Sequence, residues 1–401
     1  MELVTPQIRT PKALEDLVAE LRALRTFALD TEFIRERTYR PHLCLLQVAT
    51  REKQVLIDPL AIEDLGPFIE LVFDPEIEKI VHSGEQDMEI FYALGRRLPR
   101  NVYDTQIAAA LAGLGESISY ARLVEELLGK RLSKVETYTD WARRPLTPQQ
   151  LTYALADVEH LHPVRDRLHA ELEKRGRLDW LREELEVHED RSRYEKDLGS
   201  LYRKVRAAAK LEGRELAVLR ELAAWREEEA ERMDRPRGRI LLDESLVELA
   251  RRSPTSRESI AAVRGIHPQL IRRSGDEIVR RVAKALELPP SEYPQPVERR
   301  SSDAEHSLVV DLLEVVLRSR AAEVEVAPGY LGSRKELAEL ARIGLDPESA
   351  AGDTGPLPIL SGWRKKLVGD ALLDLLRGRS HVAVDPEKAR VEVVRREGET
   401  A

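Results

Sequence analysis

Apolar and polar positions alternate between strand-like and helix-like spacing over roughly the first third of the chain. The runs FALDTEF, LCLLQVAT and VLIDPL predict strands, and the short turn between the last two predicts an antiparallel meander. PKALEDLVAELRAL predicts a helix with Thr10 as N-cap and Pro11 in its first turn. A helix from about Ile62 to Leu71 and a strand KIVHS follow, and helical spacing dominates from Asp87 onward. This order predicts an α/β domain with its strands early and its helices late.

Beyond residue 200 the strand signals vanish, and helical periodicity continues in two blocks separated by a proline-rich, polar joint. LVELAR in the first block is echoed by LAELAR in the second, although chance similarity between amphipathic helices is an alternative explanation. The predicted organisation is an α/β domain, a helical domain, a linker, a second helical domain, and a charged, frayed tail. The α/β domain is predicted at 1–195, the first helical domain at 205–290 and the linker at 288–303. The second helical domain is predicted at 304–380 and the tail at 381–401.

Composition narrows the class of protein. The 64 Lys and Arg against 72 Asp and Glu give a net charge of −8, which argues against a generally basic protein that coats nucleic acid. An enzyme that grips nucleic acid through metals and one local basic surface remains allowed. The single cysteine, Cys44, suits a reducing compartment. The N-terminus lacks a signal-peptide pattern and no apolar run reaches membrane-spanning length, so we expect a cytoplasmic protein without a membrane partner.

Four carboxylates and a tyrosine are the candidate chemistry. In FALDTEF, Asp30 and Glu32 share one face of a strand, and buried charges must be paired or bind metal. Asp87 enters a helix after VHSG, and Tyr153 and Asp157 are four residues apart on the helix YALADVEHL. Mg²⁺ prefers such oxygen ligands, and two ions ~4 Å apart can clamp the attacking and leaving oxygens of a phosphodiester. The sequence thus permits a two-metal site if the fold brings these acids together.

Each acid alone has a simpler explanation. Asp30 and Glu32 fit an ion pair to a core arginine equally well, and Asp87 fits a helix start favoured by the helix dipole. Tyr153 and Asp157 alone fit a surface pair. Asp104, in YDTQ, is interpreted as an N-cap only. The order, spacing and flanking residues of the motifs, taken together, favour a joint site.

The motifs FALDTEF, VHSGEQDMEIF and YALADVEHL resemble those of the DEDD superfamily of exonucleases, in the subgroup with a tyrosine in the third motif. RTYRPHLCLLQVAT, DTQIAAALAG and DWARRPLTPQQLTYALADVEHL extend the resemblance to the bacterial ribonuclease D family. GIHPQLIRRSGDEIVRRV and SGWRKKLVGDALLDLL resemble its HRDC domains. The resemblance implies an α/β ribonuclease H-like exonuclease domain, with a mixed sheet flanked by helices, followed by two small all-helical HRDC-like domains.

The resemblance also implies roles for single residues. Asp30, Glu32, Asp87 and Asp157 match the ligands of two divalent metal ions, Mg²⁺ or Mn²⁺, and Glu32 and Asp157 are counted with Tyr153 as catalytic. Tyr153 matches the family's tyrosine, which helps to position the attacking water. A free tyrosine has a pKa near ~10, so this phenol is expected to be neutral at pH 7.

The activity implied is that of a metal-dependent 3′→5′ exoribonuclease that releases nucleoside 5′-monophosphates from accessible RNA 3′ ends, including those of tRNA precursors. The alternatives are an exonuclease that acts on DNA, a non-catalytic RNA-binding protein that keeps the fold, and a helical interaction protein with an α/β scaffold. RNA preference needs contacts to the 2′-OH, which no single sequence feature identifies. The oligomeric state is left open.

RNA contacts away from the metals are predicted in two places. Arg143 and Arg144 precede the Tyr153 helix and are predicted either to contact phosphates or to lie in a solvated loop. The segment from Arg251 to Lys284 holds nine Lys or Arg against three Asp or Glu, which favours a nucleic-acid grip over a solvated helix face. Trp225 and Trp363 are predicted to be core residues. Gln47, in an apolar strand, is expected to find a backbone partner and has no predicted site role.

Overall fold

The computed structural model describes residues 7–132, 140–294, 304–345, 357–387 and 390–396. Its N-terminal part contains a six-stranded mixed sheet with the strand order β1-β4-β3-β2-β5-β6. The strands are β1 (Gln7–Ile8), β2 (Thr26–Ile34), β3 (His42–Ala49), β4 (Gln54–Ile57), β5 (Glu78–Val81) and β6 (Val102–Asp104). β2, β3 and β4 form an antiparallel meander. The other three pairs are parallel: β1 pairs with β4, β5 pairs with β2, and β6 pairs with β5.

Helices follow and flank these strands. They are α1 (Pro11–Leu24), α2 (Gly66–Phe73), α3 (Glu85–Gly95), α4 (Thr105–Leu111), α5 (Tyr120–Leu128), α6 (Pro148–Glu159), α7 (Leu161–Lys174), α8 (Leu178–Leu185) and α9 (Arg191–Tyr194), with a 3₁₀ turn at Glu186–Glu189. The predicted antiparallel pairing of the second and third strand runs is confirmed. The predicted α/β architecture with early strands and late helices is also confirmed.

Local signals set the helix ends. The Thr10 side chain accepts a hydrogen bond from the Ala13 amide at 3.3 Å, which confirms the predicted N-cap of α1. The helix predicted from about residue 62 instead begins at Gly66. There the Asp64 carboxylate accepts from the Gly66 amide at 2.7 Å, and the resulting local turn delays the start of the helix to Gly66.

Two helical layers cover the two faces of the sheet. Phe27 and Leu29 of β2 point to one face and pack in a core with Leu21 of α1, Phe68 of α2 and Phe91 of α3. On the other face Ala28 packs with Ala49 of β3, Val158 of α6 and Leu161 of α7. The small alanines allow α6 to approach the sheet closely. Since strand side chains alternate, Asp30 and Glu32 lie on the α6 face with Ala28.

The remainder is largely helical. The first block holds α10 (Gly213–Met233), α11 (Arg237–Ile240), α12 (Asp243–Arg252), α13 (Arg257–Ala261) and α14 (Pro268–Leu286), with short 3₁₀ turns at Leu201–Lys204, Ala208–Lys210 and Pro290–Glu292. The second holds α15 (Ala304–Glu323), α16 (Pro328–Leu331), α17 (Arg334–Leu345), α18 (Gly362–Arg364) and α19 (Asp370–Leu376), with a 3₁₀ turn at Pro358–Leu360 and a π-helical turn at Lys365–Gly369. The predicted linker 288–303 lies outside the described residues from 295 onward.

A β-hairpin follows α19, where a frayed tail was predicted. β7 (Ser380–Asp385) pairs antiparallel with β8 (Arg390–Arg395), and the hairpin packs on α15, where Ser319 Oγ donates to the Val391 carbonyl at 2.7 Å. The prediction was wrong because the charges hid a two-residue alternation of valines. Val382 and Val393 face each other and pack against the neighbouring core.

Both helical blocks contact the α/β part. The second shares a continuous apolar core with α4, α5, α7 and α8, and Trp180 stacks on Trp363 with ring centroids 4.4 Å apart. Trp225 and Trp363 are each only 3% exposed, which confirms both as core residues. Among the described helices, none combines the length and apolar character needed to cross a bilayer.

Candidate metal centre and active site

Strand β2 and helix α6 bring the three acids of the first and third motifs together. Each of Asp30, Glu32 and Asp157 offers a carboxylate oxygen that lies within 4.8 Å of the other two. The start of α6 is fixed by a capping box, in which the Gln150 amide donates to Thr147 Oγ1 and the Gln150 side chain accepts from the Thr147 amide. This cap fixes where α6 begins, and the packing of Val158 on Ala28 and Ala49 fixes the face that α6 turns to the sheet.

The three carboxylates are partly buried and lie close enough to repel one another. Burial, followed by the charges of Asp87, Asp157 and Glu32, holds the pKa of Asp30 well above its usual range. Burial and the neighbouring acids raise the pKa of Glu32 to about 8, and burial raises the pKa of Asp157 to about 7. Among the described residues, no lysine or arginine forms an ion pair with any of the three acids. The alternative explanation, an ion pair to a core arginine, therefore does not hold for the described part of the chain.

Asp87 approaches the same site from the other layer. It lies in the first turn of α3, is 6% exposed, and accepts a hydrogen bond from the Thr31 hydroxyl. Thr31 points to the face of β2 opposite Asp30 and Glu32. This explains why Asp87 stands outside the cluster of three carboxylates although its charge contributes to the raised pKa values of Asp30 and Glu32. Burial raises the pKa of Asp87 itself to about 6.

Asp104 supports the turn that leads into α3. Its carboxylate caps α4 through the Gln106 amide at 2.8 Å, which confirms the predicted N-cap. It also accepts from the Ser83 amide at 3.0 Å and from the Gly84 amide at 2.9 Å. Ser83 has a φ of 59°, a left-handed conformation that a non-glycine residue adopts only when its surroundings hold it. Asp104 therefore fixes the turn three residues before Asp87, a role that its position before a helix does not reveal.

Tyr153 lies one helical turn before Asp157 on α6, so the two side chains share one face of the helix. Burial, and then the charges of Asp157, Glu32 and Asp30, raise the pKa of the Tyr153 phenol above its ordinary value. The phenol is therefore neutral at physiological pH, as expected from the sequence. Its ring packs against Trp141, with centroids 6.1 Å apart. The hydroxyl is thus directed at the carboxylates by both the helix and the Trp141 loop.

The two arginines ahead of α6 differ in their surroundings. Arg144 Nη2 and Nε contact the two oxygens of the buried Asp58 at 2.7 and 2.9 Å, and Arg144 also donates to the carbonyls of Cys44 and Trp141. Its guanidinium holds the Trp141 loop on strands β3 and β4, which is neither of the two roles predicted for it. Arg143 is exposed, and its side chain has no partner among the described residues. Of the two, Arg143 remains the candidate for a phosphate contact.

Gln47 is a further polar residue at the site. It lies opposite Asp30 in the β2–β3 register, so their side chains share the α6 face. Gln47 is fully buried, and neither its amide nitrogen nor its oxygen has a hydrogen-bond partner among the described residues. The expected backbone partner is therefore wrong. An amide in an apolar strand that pairs with the Asp30 strand was a sequence signal for this placement.

The basic segment from Arg251 to Lys284 is largely neutralised within the chain. Six of its nine cations form ion pairs with acidic side chains, namely Arg252, Arg257, Arg273, Arg280, Arg281 and Lys284. The other three, Arg251, Arg264 and Arg272, have none among the described residues. The nucleic-acid grip predicted for this segment remains a prediction, with fewer free charges than the sequence suggests.

Comparison with known proteins finds two matching family models and relatives that span nearly the whole chain. A family model described as 3′-5′ exonuclease matches residues 6–173, and a model of the HRDC domain matches residues 215–282. Ribonuclease D of Gluconacetobacter diazotrophicus is 39% identical over 385 residues, covering 96% of this chain and 95% of that protein. Ribonuclease D of Granulibacter bethesdensis is 38% identical over 383 residues, covering 94% of each.

A solved structure agrees with these relatives. The crystal structure of Escherichia coli RNase D, described as an exoribonuclease involved in structured RNA processing, superposes with a TM-score of 0.81 at 33% identity. The superposition covers 94% of this chain and 99% of the E. coli chain. The mixed sheet, its flanking helices and the matched model define a 3′–5′ exonuclease followed by an HRDC domain and further helices. Within that class, the chain belongs to the ribonuclease D family, which confirms the resemblance of the motifs.

Proposed function

We propose that this protein removes nucleoside 5′-monophosphates one at a time from the 3′ ends of RNA, including structured precursors such as those of tRNA. The observation that carries the proposal is the cluster of Asp30, Glu32 and Asp157 beside Tyr153 in a chain of the ribonuclease D family. Its relatives are named as ribonucleases, and the E. coli protein is described as acting on structured RNA.

The carboxylates fit divalent metal ions. Among the described residues the three clustered acids have no cationic partner, and a site with oxygen ligands alone suits Mg²⁺ or Mn²⁺. We propose that Asp30, Glu32 and Asp157 hold two such ions together with Asp87, which Thr31 orients from the opposite layer. When bound, these ions supply a more acidic water and stabilise the charge that develops on the phosphodiester oxygens.

The side chains of the chain itself supply orientation. The Tyr153 phenol stays protonated, so its hydroxyl can hold an attacking water by a hydrogen bond without acting as the base. Asp157, one helical turn away on the same face of α6, is proposed to accept from that hydroxyl and to orient it. The Trp141 loop, held by Arg144 on Asp58, keeps the Tyr153 ring in place. Arg143 is proposed to contact a backbone phosphate upstream of the reacting one.

The test uses 5′-labelled RNA with a single-stranded 3′ tail, incubated with Mg²⁺ or Mn²⁺, with a matched DNA beside it. The wild-type chain is expected to produce a ladder that shortens from the 3′ end, and Asp30→Asn is expected to produce none. Asp16→Asn is the matched control, because Asp16 is exposed on α1 and pairs only with Lys12. Cleavage of DNA with little cleavage of RNA would keep the site and overturn the substrate. Cleavage of neither would overturn the proposed activity.

A further inference from the structure

A basic cavity lies in the first helical block, away from the carboxylate cluster. Its volume is about 400 Å³, and it is formed where the Leu201–Lys204 turn, α10, α11 and the start of α12 meet. Four cationic side chains and two acidic ones line it, together with Gly238 and Leu242; the charged residues are Lys204, Arg206, Arg226, Arg237, Asp243 and Glu244. The wall therefore carries an excess of two positive charges.

Arg226 is the buried cation in the wall of this cavity. It is only 6% exposed, and its Nη1 donates to the Leu241 carbonyl at 3.0 Å and to Asp243 Oδ1 at 2.7 Å. The other oxygen of Asp243 accepts from the Arg206 amide at 2.7 Å, so the acid is held on both sides. Arg226 Nε is buried without a hydrogen-bond partner, and the described residues give Nη2 none either. A guanidinium fixed at one nitrogen, with its other donors unused, is suited to an anion.

Exposed cations surround Arg226. Lys204 and Arg206 are exposed, and their side chains have no ion-pair partner among the described residues. They belong to the stretch YRKVRAAAK, which holds four cations and no acid. Arg237 contacts the buried Glu227 at 3.5 Å and is otherwise exposed. Lys204 and Arg206 therefore differ from most of the cations between Arg251 and Lys284, which form ion pairs among the described residues.

The start of α12 adds backbone donors. Leu242 is the N-cap residue and has no side chain that can cap the helix, so first-turn amides of this ten-residue helix are left without a side-chain acceptor at that position. The helix dipole there favours a negative group. Oxygen-rich anions with several acceptors, above all phosphate, match a fixed guanidinium, mobile cations and helix amides together.

The cavity adjoins the contact between the helical block and the catalytic part. Glu227, the neighbour of Arg226 on α10, accepts from the Tyr39 hydroxyl and from Lys196 Nζ, each at 2.6 Å. Asp234 Oδ1 accepts from the amides of Tyr39 and Arg40 at 3.1 and 3.0 Å. Tyr39 lies in the loop that leaves β2, seven residues after Glu32. The helix that carries Arg226 therefore also contacts the loop that leaves the catalytic strand.

We propose that this cavity, lined by Lys204, Arg206, Arg226 and Arg237, binds a backbone phosphate of the RNA substrate upstream of its 3′ end. That the ligand is RNA rests on the proposed ribonuclease function, whereas the position of the phosphate rests on the residues that line the cavity. Free phosphate has the same chemistry, so the experiment separates the two sources.

The test measures RNA affinity with full-length protein that carries Asp30→Asn to prevent cleavage. Two double variants are compared in this background. The cavity variant combines Lys204→Gln and Arg206→Gln, and the α7 variant combines Arg167→Gln and Lys174→Gln. The latter removes the same charge from exposed, unpartnered residues on α7. The cavity variant is expected to raise the Kd for RNA about 10-fold near 0.1 M salt, and to lower the slope of log K against log salt by about one. The α7 variant is expected to leave both nearly unchanged.

Equal losses in both double variants, or no loss in either, would overturn the proposal. A titration with inorganic phosphate is run in parallel. Loss of phosphate binding in the cavity variant with an unchanged Kd for RNA would assign the cavity to free phosphate and would also overturn it. When Asp30 is restored, hydrolysis of RNA tests the proposed function separately. If no variant hydrolyses RNA, the proposed function fails while the Kd comparison still decides the role of the cavity.

Discussion

The hydroxyl of Thr31 donates a hydrogen bond to the carboxylate of Asp87, and this bond joins strand β2 to helix α3 at the candidate site. Thr31 stands between Asp30 and Glu32 in sequence and points to the opposite face of β2. One strand therefore presents two acids to α6 and orients a third acid on α3. This accounts for the unbroken run Asp-Thr-Glu at the centre of a mostly apolar strand.

Thr31→Val removes this hydrogen bond and keeps the shape of the side chain. It is expected to cost about 1–3 kcal/mol in the free energy of unfolding, because a buried carboxylate loses its donor. Since Asp87 is a proposed ligand, Mn²⁺ affinity is expected to fall about 10-fold or more. Thermal unfolding and calorimetric titration with Mn²⁺ check both effects. Thr31→Ser keeps the hydroxyl and is expected to restore the affinity; equal affinity in all three proteins would contradict the role of Thr31.

Tyr153→Phe is expected to lower kcat on RNA about 100-fold, because a group that orients the attacking water is lost from the transition state. Mn²⁺ affinity and the melting temperature are expected to change little, since Tyr153 is not a proposed ligand. The wild-type rate is also expected to show no change from Tyr153 ionisation up to about pH 10, because burial and the neighbouring acids raise its pKa. Single-turnover rates across pH measure both. A loss of Mn²⁺ binding in Tyr153→Phe would show that the phenol acts through the metals instead.

Arg143 and Arg144 are adjacent and are expected to behave differently. Arg144→Gln leaves the buried Asp58 without its main partner and is expected to cost about 3 kcal/mol of stability. Arg143→Gln is expected to leave stability unchanged and to weaken RNA binding, with a salt slope lower by about one. Chemical denaturation and binding titrations in several salt concentrations distinguish the two. The reverse pattern would return the phosphate contact to Arg144.

The metal-free protein is expected to lose stability as the pH rises. Burial raises the folded-state pKa of Glu32 to about 8, of Asp157 to about 7 and of Asp87 to about 6, whereas unfolded carboxyls titrate near ~4. The folded state therefore binds more protons than the unfolded state over this range. The contribution of these protons to the free energy of unfolding is complete below about pH 4 and is lost as the pH rises through about 6 to 8.

Melting temperatures in EDTA from pH 5 to pH 9 measure this dependence. Mg²⁺ or Mn²⁺ is expected to raise the melting temperature more at pH 9 than at pH 5, because protons and metal compete for the same oxygens. Asp30→Asn is expected to be more stable than wild type in EDTA at pH 9, and to gain little from metal. A melting temperature that rises with pH in EDTA would contradict the electrostatic description of the site.

Much of the fold follows from local sequence patterns. The cap at Thr10, the cap at Asp104 and the burial of Trp225 depend on short-range spacing and hydrophobicity, and each agrees with the structure. The hairpin after residue 380 was missed because charged residues alternate with its valines, and the packing of Val382 on a distant core decides the outcome.

The parts of the site that sequence did not reveal depend on contacts between distant segments. Asp104 reaches the Ser83 and Gly84 amides because β5 and β6 are neighbours, and Arg144 reaches Asp58 across 86 positions of the chain. Gln47 gains its place beside Asp30 only through the register of β2 and β3. Motifs therefore identify the reacting acids, whereas the residues that position them require the three-dimensional fold.

The most direct test of the central claim is anomalous diffraction from crystals of the full chain soaked in Mn²⁺ with a nucleoside 5′-monophosphate. Two anomalous peaks about 4 Å apart are expected, both contacted by carboxylates from the set Asp30, Glu32, Asp87 and Asp157. The acidic cleft formed by Glu183, Glu184, Glu186, Glu189 and Asp190 provides an internal comparison, because it is rich in carboxylates and is expected to bind no ordered ion. Peaks confined to that cleft, or the absence of any peak at β2, would contradict the account.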